Sequence, residues 1–153
     1  MRLCINDGHL EDMELAFEED PYAAEKSDSS GRSALSDYAK YGSKVEVLEW
    51  LLDIYPNAAM ATNRSDSTPL HYLYKNRFVT LDMVKCVLDA NPHAAKERDN
   101  DNCYPVHHLC DNPKISGEML SYVLSESNED AAVEKIGKKK RCLTLSETFF
   151  RGG

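Results

Sequence analysis

Apolar residues recur at helical spacing in four ten-residue windows of the chain. In VEVLEWLLDI (45–54), Val45, Leu48, Leu51 and Leu52 stand at i, i+3, i+6 and i+7, and in LDMVKCVLDA (81–90) Leu81, Val84, Val87 and Leu88 do the same. GEMLSYVLSE (117–126) superposes on the second window at an offset of 36, and LEDMELAFEE (10–19) on the first at 35. That spacing lines one face of a helix; a half-buried strand would alternate every second residue. Charges interrupt the apolar positions at the helical interval, so the pattern predicts an all-α chain.

The segments between these windows repeat as well. DPYAAEKSDSSGRSAL (20–35), YPNAAMATNRSDSTPL (55–70) and NPHAAKERDNDNCYPV (91–106) align without gaps, with Pro21, Pro56 and Pro92 separated by 35 and 36 positions. STPLHYLYKN (67–76) returns as CYPVHHLCDN (103–112), which predicts a short helix at each place. Thr68 can accept amide hydrogens of the first turn, and Pro69 stands where its missing N–H costs nothing. Ser33–Ala34 keeps the cap without the proline, and Tyr104–Pro105 does the reverse. The unit reads as polar loop, short helix, turn, longer helix and an N-P-x-A-A corner. Two helices of this size cannot bury their apolar faces alone, so successive units must stack. The units fall at about 3–19, 20–54, 55–90, 91–126 and 127–150, within a single domain spanning 1–153.

Thr68-Pro69-Leu70-His71, echoed by Pro105, Val106 and His107, resembles the tetrad of the ankyrin repeat. The resemblance implies a helical solenoid of about three full repeats plus partial terminal ones. The period departs from the family's roughly 33 residues, and the lengthened form is similar to ankyrin repeats of diatoms and related algae. In such a fold short helices form the concave side, long helices the convex side, and loops at 26–32, 62–67, 97–103 and 135–141 project as fingers. Leu3–Gly8 reads as the remnant of a short helix and 142–150 as an abbreviated closing one. The tetrad histidine would bond loop backbone and hold neighbouring fingers together. The family's function implies a non-catalytic protein-binding module, monomeric, with no cofactor. Its contact set would be Arg64, Asp66, Tyr72, Tyr74, Lys75, Arg98, Asn100, Asn102, His108 and Asp111.

Composition narrows the partners. With 26 acidic against 18 basic residues the net charge is −8, which repels a phosphate backbone and argues against nucleic acid. No run approaches the roughly 18–20 apolar residues needed to span a bilayer. Five scattered cysteines without paired spacing read as reduced thiols in a cytoplasmic or nuclear setting. Lys138–Arg141 forms a basic run on the last finger, a solvated loop by default or a nuclear address.

Two chemical alternatives remain. Cys103, His107 and Cys110 offer zinc-type donors for a metal-binding or enzyme-accessory unit, yet lack a second close pair. Catalysis would need a nucleophile, a base and an orienting group, and the acid pairs Glu18/Glu19 and Asp99/Asp101 fall where solvent is expected. Trp50 shares its register with Leu15, Cys86 and Tyr122, a series expected in packing. The chain could also be a fragment of a larger ankyrin-containing protein.

Overall fold

The computed structural model describes residues 10–20 and 22–127. The expectations for Leu3–Gly8, the finger at 135–141, the Lys138–Arg141 run and the closing helix at 142–150 lie outside the described residues. Among the described residues all regular structure is helical. The α-helices are α1 (Leu10–Glu19), α2 (Ala34–Tyr41), α3 (Val45–Ile54), α4 (Pro69–Tyr74), α5 (Leu81–Ala90), α6 (Pro105–Cys110) and α7 (Gly117–Glu126). The repeated corners form 3-10 turns at Ala23–Glu25, Pro56–Met60 and Pro92–Lys96. The four amphipathic windows thus become α1, α3, α5 and α7 with the boundaries read from the pattern.

Local chemistry sets the helix starts. The Ser33 hydroxyl accepts the Ser36 N–H at 3.2 Å, Thr80 accepts from Met83 at 3.2 Å and Ser116 from Met119 at 3.1 Å. Each satisfies a donor that has no partner within its own helix. In α4 and α6 the third helical residue turns back instead: His71 Nδ1 accepts the Thr68 N–H at 3.1 Å, and His107 Nδ1 accepts the Tyr104 N–H at 2.9 Å. Pro69 and Pro105 open these two helices, where a missing N–H is harmless.

Short helices pack on short helices, α2 on α4 and α4 on α6, while α3 packs on α5. Leu48, Leu51, Leu52, Val84, Val87 and Leu88 are buried as the pattern requires. The apolar stripe is wider than that pattern, because Val47 and Met83 are fully buried too. Helices α3 and α5 therefore each touch both their own short helix and a neighbouring unit. The Trp50 series divides: Trp50, Cys86 and Tyr122 pack half-buried against the core, with Phe17 edge-on to Trp50 at 5.0 Å, whereas Leu15 is exposed.

Two polar seams tie units together. At the turn after each short helix, the Asn76 side-chain amide donates to the carbonyls of Ala39 (2.9 Å) and Gly42 (2.7 Å). Asn112 repeats this with Tyr74 (2.9 Å) and Asn76 (2.7 Å). At the opposite corner Asn91 donates to Ala59 at 3.1 Å. Asn76 and Asn112 also accept from Phe78 (2.8 Å) and Lys114 (3.0 Å), so each amide organises its own turn while bonding to the preceding one.

Chemical denaturation provides a direct check on these roles. Leu88→Ala should cost about 2–5 kcal/mol, the usual range for truncating a buried leucine. Asn76→Ala should cost about 2–3 kcal/mol by stranding buried carbonyls. Glu49→Ala on the exposed side of α3 should stay within about 0.5 kcal/mol. Equal losses at all three positions would contradict this division of inside, seam and outside.

Candidate functional site

The fingers share one construction. Each opens on an Asp or Asn whose carboxylate or amide oxygen gathers backbone amides further along the loop. Asp28 accepts from Ser30 (2.8 Å) and Arg32 (2.9 Å), Asn63 from Ser65 and Ser67 (both 2.9 Å), and Asp99 from Asp101 and Cys103 (both 3.0 Å). Three residues after this anchor the backbone turns left-handed, at Gly31 (φ 80°), Asp66 (φ 53°) and Asn102 (φ 59°). Glycine, aspartate and asparagine are the residues that enter this region at least cost. At Gly31 a side chain would also crowd the next finger, since an added Cβ would lie 3.2 Å from the Arg64 nitrogen.

The fingers bond in series. The Arg64 N–H donates to Ser30 at 3.1 Å and the Asn100 N–H to Ser65 at 3.0 Å, while the Asn100 side chain donates to the Arg64 carbonyl at 3.1 Å. Each anchor also reaches the short helix nine residues later. Arg32 bridges Asp28 (2.9 Å) and Asp37 (3.5 Å), Asn63 donates to the Tyr72 hydroxyl at 2.6 Å, and His108 Nε2 meets Asp99 Oδ2 at 2.8 Å.

This geometry revises part of the contact set. Arg64, Asp66, Lys75, Asn100, Asn102 and Asp111 are exposed. Arg98 is half-exposed and braces its own finger, donating to Asn102 and to the Tyr104 hydroxyl, both at 2.9 Å. Tyr72, Tyr74 and His108 are buried, which removes them from a solvent-facing surface. The cause is packing: α4 lies between α2 and α6, so all six of its residues are buried. Tyr74 is a core residue at 1% exposure, and burial pushes its phenol pKa upward. Asp99, read as solvated, is buried as the partner of His108. Asp101, Glu18 and Glu19 are exposed as expected.

His71 links consecutive units. Because Nδ1 accepts the Thr68 N–H, the proton of the neutral ring belongs on Nε2, which donates to the Cys103 carbonyl at 3.1 Å. His71, Asp99 and His108 come close enough to be considered as a metal grouping, with donor atoms within 4.8 Å of one another. The proton arrangement opposes that use: a cation at His71 Nε2 would need the proton that bonds Cys103. The trio works as a hydrogen-bonded brace. Cys103, His107 and Cys110 form no such grouping among the described residues. Cys103 directs its thiol at the Asp101 carbonyl, 3.6 Å away, while Cys110 is disulfide-bonded, a correction to the expectation of reduced thiols throughout. Burial pushes the Cys86 thiol up to about 11, leaving it protonated at neutral pH.

No family model matches this chain, and no curated protein matches it. No helix among the described residues is long and apolar enough to cross a membrane.

Burial lowers the His71 pKa from 6.5 to about 4, the Cys103 bond opposing this only in part. The unfolded chain therefore binds a proton that the folded one refuses between these values. This contribution to stability is complete above pH 6.5 and declines as pH falls toward 4, at no more than about 1.4 kcal/mol per pH unit. Burial alone would raise the Asp99 pKa, but bonds from His108 and the Cys103 amide outweigh it and hold it below 3.8; its contribution is lost only at lower pH. Urea midpoints between pH 7 and 4 should fall more steeply for the native sequence than for His71→Gln, and parallel slopes would contradict the assignment. At Asp66, glycine should be tolerated within about 0.5 kcal/mol, whereas valine should cost about 1–2 kcal/mol through its left-handed backbone.

Proposed function

We propose that the chain is an ankyrin-type helical repeat solenoid that binds a protein partner, without catalysis, through its finger tips and the adjoining ends of its short helices. The supporting observation is the contrast between finger bases and finger tips. At the bases, Asp28, Asn63 and Asp99 are hydrogen-bonded into the scaffold. At the tips, Arg64, Asp66, Asn100 and Asn102 reach solvent, with Lys75 and Asp111 exposed just beyond the short helices. Side chains presented on a braced backbone lose little freedom when a partner arrives, which favours recognition by shape and charge.

The ankyrin assignment draws on the Thr68–His71 tetrad, on the His71 bond to the following finger and on the stacking of α2, α4 and α6. The tetrad histidine serves here as a structural clip. A 35–36-residue spacing is accommodated by the turns at 42–44, 76–80 and 112–116 and by the 3-10 corners. The non-catalytic reading draws on the raised Cys86 pKa and on the saturated hydrogen bonding of His71.

Affinity capture with the native sequence and with the combined variant Arg64→Ala, Asp66→Gly, Asn102→Gly tests this reading. A protein retained by the native chain should be lost with the variant and kept by Glu49→Ala, Asp53→Ala on α3. The thermal midpoint of the finger variant should stay within about 2–4 °C of native, the shift expected from about 1 kcal/mol in a domain of roughly 150 residues. Retention indifferent to the finger tips, or substrate turnover by the purified chain, would overturn it.

A further inference from the structure

The charges of this protein are segregated by face. The outward sides of the long helices are mostly acidic, with Glu46, Glu49, Asp53, Asp82, Asp89, Glu118 and Glu126 exposed and Lys85 an exposed base among them. The turns joining short to long helices instead carry Lys44, Lys75, Arg77 and Lys114, all exposed. Between the turns that follow α4 and α6 lies a shallow depression of about 530 Å³, lined by Arg77, Phe78, Val79 and Lys114. Arg77 also borders an adjoining depression with Lys75, Asp111 and Pro113.

Its chemistry is specific. Arg77 and Lys114 form no ion pair among the described residues. The Arg77 guanidinium lies 5.7 Å from the centre of the Phe78 ring, which is 49% exposed, while Val79 is buried beneath. The groove therefore offers an apolar platform flanked by two exposed cations that form no ion pair among the described residues. Its backbone is set by Asn76 and Asn112, whose side chains accept from Phe78 and Lys114. In a chain of net charge −8, Arg77 and Lys114 beside an exposed aromatic ring, with Asp111 as the carboxylate bordering Arg77 in the adjoining depression, favour an anionic ligand with an apolar side chain.

We propose that this groove docks an acidic segment of a protein partner, with carboxylates meeting Arg77 and Lys114 and a hydrophobic side chain resting on Phe78. The proposal rests on the binding-module reading and names the ligand chemistry for one part of the surface. Arg suits the site because its planar fork can hold a carboxylate while its face remains against the ring. Nucleic acid fits less well, because the acidic faces on α3, α5 and α7 repel an extended phosphate backbone.

Fluorescence anisotropy on the full chain tests this with a labelled peptide in which a Leu-Phe pair is flanked by glutamates. Matched peptides replace the glutamates by lysines or the Leu-Phe pair by serines. The glutamate peptide should bind saturably, more weakly as salt rises. Arg77→Glu combined with Lys114→Glu should weaken it by about tenfold or more, and Phe78→Ser by several-fold. Lys96→Glu, the same charge reversal at an exposed site elsewhere, should leave it nearly unchanged.

Failure of the glutamate peptide to bind, or equal weakening by Lys96→Glu, would overturn the groove assignment. So would tighter binding of an oligodeoxythymidine of equal charge, or self-association of the chain that the groove substitutions abolish. If the peptide fails while finger-dependent capture persists, the groove alone falls. If both fail, the binding-module reading falls with it.

Discussion

The side-chain amide of Asn76 is the interaction on which the arrangement of units depends. It donates to two carbonyls of the preceding unit and accepts an amide of its own turn, and Asn112 does the same one unit later. Apolar burial drives the helices together, but a greasy contact tolerates sliding. Hydrogen bonds do not, because a buried carbonyl displaced from its donor costs about 1–3 kcal/mol. The asparagines therefore fix the register in which Leu, Val and Met side chains meet. His71 and Asn91 perform the same task at the finger and the corner.

With register fixed at three places between the units 55–90 and 91–126, the exposed elements inherit their positions. The finger tips are carried by Asp28, Asn63 and Asp99, and each anchor is joined to a short helix, of which α4 is held between α2 and α6. The groove at Phe78 and Lys114 arises from the same asparagines, since the bonds that join two units also shape the turns between them. Scaffold and surface share the same side chains, which is why polar residues with little exposure, such as Asn76 and His71, matter to a surface they do not reach.

Much of this was legible in the sequence. The long helices follow from ten-residue apolar periodicity, and the short ones from Thr68-Pro69 and its echo at Pro105. What failed was the facing of short helices. Six residues make fewer than two turns, too few for periodicity to define an exposed side, and variation at Tyr72, Tyr74 and His108 looked like surface variation. Packing of α4 between α2 and α6 buries Tyr72 and Tyr74, and His108 is buried on α6 against Asp99. A signal was nevertheless available: Asn63 with Tyr72, and Asp99 with His108, stand nine residues apart in successive units and change together. Likewise the Lys75-Asn76 and Asp111-Asn112 pairs end both tetrad segments, but an isolated asparagine after a helix is easily taken for an ordinary turn residue.

The left-handed position of each finger sets a limit on diversification. Gly31, Asp66 and Asn102 stand where backbone geometry admits few side chains, so variety at the finger tips falls to their immediate predecessors, such as Arg64, Ser65 and Asp101. A family of related chains could exchange charge and size at those neighbouring places freely, while the pivot itself kept to a three-letter alphabet.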